Sequence, residues 1–76
     1  MVKIEIFGSG CKKCQTLERN AVEAAEELGI EYEVHKVKDV NEMTERGVMF
    51  TPALAIDGEV KSSGRVLPAG KIKELL

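Results

Sequence analysis

The chain has 76 residues, 43% hydrophobic and 32% charged, with a formal net charge of −2. That length holds one domain, residues 1–76, and a domain so small buries only about 60% of the surface its unfolded chain exposes, leaving no room for a separate cofactor unit. The net charge argues against nucleic acid as the main partner, which needs a clustered basic face; interspersed charge leaves room for a local basic patch around Lys12 and Lys13, but with only three aromatics, Phe7, Tyr32 and Phe50, no base-stacking cluster accompanies it.

The opening MVKIEIF is too short for a secretory leader, and no later apolar run approaches a membrane span. The expected setting is therefore the cytoplasm, with no membrane partner. Residues 2–7 alternate, with Val2, Ile4 and Ile6 on one face and Lys3, Glu5 and Phe7 on the other, the period of a strand. Gly8, Ser9 and Gly10 break it. From Cys11 the period becomes helical: Leu17, Ala21, Ala24, Ala25 and Leu28 form a stripe that Val22 widens, over about five turns. Ser9 or Gly10 is placed to cap its start and Gly29 its end. Residues 31–37 alternate again. Residues 39–46 predict a short helix with Val40 and Met43 inward, ended by Gly47. Residues 53–56 form an apolar strand, Asp57-Gly58 a hairpin turn, and residues 60–66 a return strand. Pro68 fits the first turn of a last helix in which Ala69, Ile72 and Leu75 share a face. The string β-α-β-α-β-β-α predicts an α/β fold with a four-stranded mixed sheet. Its first two strands should be parallel and its last two an antiparallel hairpin.

Both cysteines lie in GSGCKKCQ, residues 8–15. In a reducing compartment such a pair is catalytic or metal-binding more often than structural. A structural bridge is a poor use of the spacing, since closing a four-residue loop contributes only about 2 kcal/mol. At a helix start the unpaired N–H groups and the helix dipole favour a thiolate, lowering a cysteine pKa from its free value of about 8.5. Cys11 is thus the candidate nucleophile. Cys14, three residues on and on the same face, is the candidate resolving thiol. Lys12 and Lys13 are candidate pKa-tuning groups, since unit charges attract by about 1 kcal/mol at 4 Å in water and by more where water is excluded. The rival is a soft-metal module, with Cu(I) held by the two thiolates. Structural zinc wants four ligands, and beyond the two cysteines the chain has one histidine, His35. A third class, a redox-sensing partner protein, would show a reversible disulfide with negligible turnover.

The strand KIEIF, the helix-opening GSGCKKC, the segment FTPALAIDGEV, the glycine in SSGRV and a terminal helix together resemble the thioredoxin superfamily. They resemble most its very small prokaryotic members, the redox-active disulfide proteins. The resemblance covers nearly the whole chain. It implies a minimal thioredoxin-like fold and thiol–disulfide exchange through Cys11 and Cys14. Protein disulfides would be the substrates and a thioredoxin-reductase-like flavoprotein the electron donor, with no bound cofactor and no metal. It implies that Pro52 is a cis-proline beside the cysteine pair, that the backbone of Thr51 pairs with an extended substrate segment, and that Gly64 leaves room for the partner. Glu5 stands where the superfamily carries a buried acid that assists proton transfer; the alternative is an exposed strand residue paired with Lys3 or a neighbour. Gly10 replaces the superfamily's tryptophan before the first cysteine, and Lys12-Lys13 its Gly-Pro. Lys13 also replaces the aromatic that accompanies glutathione use in glutaredoxins.

Overall fold

A computed structural model describes residues 1–8 and 12–76. The elements are β1 (Val2–Phe7), α1 (Lys12–Leu28), β2 (Tyr32–Val37), α2 (Val40–Glu45), β3 (Ala53–Ile56), β4 (Glu59–Ser63) and α3 (Ala69–Leu75). They form the expected α/β fold around one four-stranded mixed sheet of order β2-β1-β3-β4. β1 runs parallel to β2, from Val2 opposite Tyr32 to Phe7 opposite Val37. It is antiparallel to β3, and β3 to β4.

The period-two pattern of β1 sorts the core into two layers. Ile4 and Ile6, with Leu54 and Ile56 of β3, pack against Leu17, Ala21, Ala24 and Ala25 of α1 and Ile72 of α3. On the other face Phe7, Val37, Ala53 and Ala55 pack against Met43 of α2 and Val48. The alanines let α1 approach the sheet closely. α3 is tied to α1 by the Asn20 side-chain amide, which donates to the Leu67 carbonyl at 2.9 Å, and by Lys73–Glu27 at 3.2 Å.

The chain leaves α1 and α2 by the same device. At α2 the N–H of Gly47 donates to the Thr44 carbonyl at 3.1 Å and that of Val48 to the Met43 carbonyl at 2.8 Å. Gly47 itself has φ +77°. This is a Schellman cap, with Val48 folded back onto Met43. Gly29 and Ile30 bond the carbonyls of Glu26 and Ala25 in the same pattern. Asp39 caps α2 at its start, accepting from the Asn41 N–H at 2.8 Å. The expected cap of α1 by Ser9 or Gly10 lies outside the described residues.

Four local expectations change. Val40 is 71% exposed, because only Met43 of this single-turn helix reaches the sheet. Leu28 is 45% exposed, since the chain turns away there and Ile30 packs on the core instead. The return strand ends at Ser63, where Gly64 turns the chain, so Val66 packs against the core on the Ile4–Ile6 face rather than continuing the sheet. Pro68 is the N-cap of α3, not a first-turn residue; its carbonyl accepts from the N–H groups of Lys71 and Ile72.

Candidate active site

At the end of β1, Gly8 is buried and donates its N–H to the Val37 carbonyl at 3.0 Å. Cys14 is on the first turn of α1, 6% exposed. A Cβ placed on Gly8 would overlap the Cys14 Sγ, would lie 3.3 Å from the Cys14 Cβ and would touch the Thr51 Cβ at 3.9 Å. The second cysteine and the segment before β3 therefore meet over the bare backbone of Gly8. Beside Cys14 a cleft of about 170 Å³ opens toward β2, lined by Ile6, Gly8, Gln15, Glu18, Lys36 and Lys38. Glu18 and Lys36 pair across it at 3.3 Å. Cys11 lies outside the described residues. Lys12 and Lys13 open α1, both exposed.

The Thr51–Pro52 peptide bond is cis. Thr51 is exposed and Pro52 buried. The Pro52 carbonyl accepts from the Gly64 N–H at 2.9 Å, which ties the segment to the end of β4. Gly64 has φ +75°, and a Cβ there would come within 3.1 Å of the Phe50 Cβ. The space beside Gly64 thus faces a residue of the chain itself. Phe50, on that side of Thr51, is 64% exposed.

Of the two readings of Glu5, the exposed one is excluded: it is 3% exposed, on the α2 face of the sheet. Its partner is Arg46, the residue closing α2, whose guanidinium donates two bonds to the carboxylate at 2.8 and 2.9 Å. Arg46 also donates to the Gly58 carbonyl at 3.1 Å and lies 5.3 Å from the centroid of the Phe7 ring. The hydrogen bonds from Arg46 outweigh burial and hold the Glu5 carboxyl below its ordinary range, with the charges of Arg46, Lys3 and His35 acting in the same direction. His35 stands on β2 with its Nε2 3.1 Å from Glu33.

The structure thus brings Cys14 and Thr51 together, sets Pro52 and Gly64 beside Thr51, and gives Glu5 a cationic partner. Two residues of the arrangement escape the sequence reading. Gly8 reads only as a strand breaker, although its place between an alternating strand and a cysteine pair was the available signal. Arg46 carries no signal, because its partner lies 41 positions away. Among the described residues no group of three His, Cys, Asp or Glu side chains is arranged to hold a metal ion, and no helix is long and apolar enough to cross a membrane.

Residues 2–76 match the family model described as "Thioredoxin domain". The chain is 49% identical, over its whole length and 99% of the relative's, to a protein named thioredoxin from Methanothermobacter thermautotrophicus. It is 46% identical over its whole length to another so named from Methanocaldococcus jannaschii, covering 87% of that protein.

Proposed function

The chain belongs to the thioredoxin family and is a disulfide oxidoreductase of that kind; from this premise we propose that it reduces protein disulfides through a Cys11–Cys14 dithiol. The Cys11 thiolate attacks one sulfur of a target disulfide, forming a mixed disulfide and releasing the other target sulfur as a thiolate. The Cys14 thiolate then attacks the Cys11 sulfur, displacing the second target thiolate and leaving a Cys11–Cys14 disulfide. Two electrons pass to the target, while Cys14 gives up its proton to water before it attacks and the released target thiolates take up protons from water. A flavoprotein reductase acting through its own dithiol returns the pair to the reduced state, and no bound cofactor takes part.

The observation that carries this reading is the meeting of Cys14, Gly8 and Thr51. The second cysteine sits with its sulfur against backbone, shielded from solvent, which suits a thiol that acts only once the first is linked to a target. Thr51 stands beside it, exposed, where its backbone can pair with an extended target segment, with Pro52 and Gly64 holding that segment of the chain. Lys12 and Lys13 place positive charge on the first turn of α1, favouring the Cys11 thiolate. Glu5 takes no proton in this mechanism: a carboxylate held ionised by Arg46 is a poor base near neutral pH, where an effective one has a pKa close to the working pH.

Insulin reduction coupled to a dithiol donor tests the assignment. Cys11→Ser and Cys14→Ser each abolish turnover, and Cys14→Ser accumulates a mixed disulfide joined through Cys11. Turnover by either variant would remove the dithiol mechanism. A cross-link joined through Cys14 in Cys11→Ser, and absent from Cys14→Ser, would reverse the roles of the two thiols.

A further inference from the structure

Lysines gather at the end of the sheet where Cys14 sits. Lys12 and Lys13 precede it in the first turn of α1, and Lys36 and Lys38 line the cleft of about 170 Å³ beside it. The strand register accounts for the second pair. Lys36 stands opposite Ile6, so it faces the side of the sheet that α1 covers, and Lys38 follows just past the end of β2 on the same rim. Among the described residues Glu18 is the carboxylate that lines the cleft, and it pairs with Lys36 at 3.3 Å. Lys38 is exposed and enters none of the ion pairs among the described residues. The neighbouring Asp39 directs its carboxylate to the Asn41 N–H. Glu23, Glu26 and Glu27 of α1 lie about 14 Å and more along the helix from Cys14. A chain of net charge −2 thus carries a cationic rim on the β2 side of its second cysteine.

We propose that this cleft receives a carboxylate of the target polypeptide, from an aspartate or glutamate near the attacked cysteine, and that Lys38 and Lys36 hold it, so that the protein selects disulfides in acidic sequence surroundings. The inference rests on the reading of Thr51 as the residue that pairs with the target. The sheet order β2-β1-β3 puts one strand between Thr51, ahead of β3, and the cleft, beside β2. Two strand spacings are about 10 Å, the length of about three extended residues, so a side chain two or three positions from the paired one reaches the lysines. The cleft is smaller than the roughly 300 Å³ at which sites for whole small molecules begin, and it suits a single side chain. Its walls at Ile6 and Gly8 are buried. They exclude part of the solvent, which strengthens the attraction between a carboxylate and the two ammonium groups.

The test is the rate at which the prereduced full-length protein, with no electron donor present, reduces two synthetic disulfide peptides. One has glutamate, the other glutamine, at the second and third positions on each side of the attacked cysteine. Wild-type protein prefers the glutamate peptide by about fivefold at low ionic strength, the discrimination that one or two exposed ion pairs supply. The preference fades toward 1 M salt, where charges are screened within about 3 Å. In Lys38→Gln the ratio of the two rates falls toward one, while the glutamine peptide is reduced as fast as by the wild type. In Glu18→Gln, which frees Lys36 from its partner, the ratio rises. Equal rates in the wild type, a ratio that Lys38→Gln leaves unchanged, or one that Glu18→Gln fails to raise overturns the cleft assignment and leaves the dithiol mechanism standing. A preference lost in Lys12→Gln/Lys13→Gln and kept in Lys38→Gln gives the carboxylate to the start of α1 and overturns the proposal. Failure to reduce either peptide removes the mechanism and the cleft's role together.

Discussion

Alanine at position 8 isolates the contact on which the site is built. Gly8 does not have a positive φ, so the substitution meets no backbone penalty, and its effect comes from the added methyl. That methyl coincides with the Cys14 sulfur and lies 3.3 Å from the Cys14 Cβ, while its distance of 3.9 Å to the Thr51 Cβ is ordinary contact. Rotation about χ1 can carry the sulfur to another staggered position but leaves the Cβ where it is, so α1 must also shift. Overpacking of this kind costs about 1–3 kcal/mol, and each kcal/mol lowers the melting temperature of a domain this size by roughly 4–8 °C. Denaturant unfolding in reducing buffer measures the loss. A double-mutant cycle with Cys14→Ala assigns it: with the sulfur gone, Gly8→Ala should cost about 1 kcal/mol less than in the wild type. The displaced sulfur should also resolve mixed disulfides more slowly. If the two substitutions add, or if Gly8→Ala leaves stability unchanged, Cys14 does not pack over Gly8 in this way.

Glu5 has its carboxyl held below the ordinary value of 4.5 by Arg46, so it contributes stability that is fully present above that value and lost as pH falls through the lower folded one. Denaturant midpoints titrated from neutral pH into acid should therefore fall less steeply in Glu5→Gln, from a lower starting stability; an unchanged acid limb would contradict the pairing. Gly64→Ala places a side chain at φ +75° and against the Phe50 Cβ; it should destabilise by more than about 1 kcal/mol, with Phe50→Gly, which removes that Cβ, recovering the steric part only. Ile72→Ala, at a fully buried position, should cost about 2–5 kcal/mol in thermal or chemical unfolding. Leu28→Ala, at a position 45% exposed, should stay within about 0.5 kcal/mol of the wild type.

The change of period from two to 3.6 at the cysteine pair was enough to read the order of the elements, and alternation in β1 sorted its side chains onto two faces, which α1 and α2 prove to cover. Where the sequence misled, the element was short or at its end. In α2, with six residues, only Met43 is buried, so Val40 had nothing to pack against despite its spacing. At Leu28 the helical stripe continues in sequence after the chain has begun to turn. Glu5 had the right offset for a buried acid, and burial was legible as one of two alternatives. The identity of its partner was not, because nothing in the sequence near Arg46 connects it to β1. Gly8 was hidden for a related reason: its importance lies in the side chain it lacks, and that matters only once α1 and the segment before β3 converge on it.

That convergence joins elements of different parentage. Cys14 comes from α1, whose helix packs on the Ile4–Ile6 face of the sheet, whereas Thr51 follows a cap that belongs to the Phe7 face. Elements packed on opposite faces can meet only beyond the end of a strand, and β1 ends at Phe7. The position of Thr51 is then set by what fixes the chain between α2 and β3. On one side the Schellman bonds of Gly47 and Val48 hold the turn, and Arg46 clamps it to Glu5 and to the Gly58 carbonyl. On the other side the Gly64 N–H holds the Pro52 carbonyl. The segment from Val48 to Thr51 is thus tethered at both ends, which lets Met49 and Phe50 stand exposed without the segment needing a core of its own. The buried carboxylate therefore bears on the proposed site by fixing where the segment from Val48 to Thr51 lies relative to Cys14. Its influence should appear in how well a target binds more than in the acidity of the thiols.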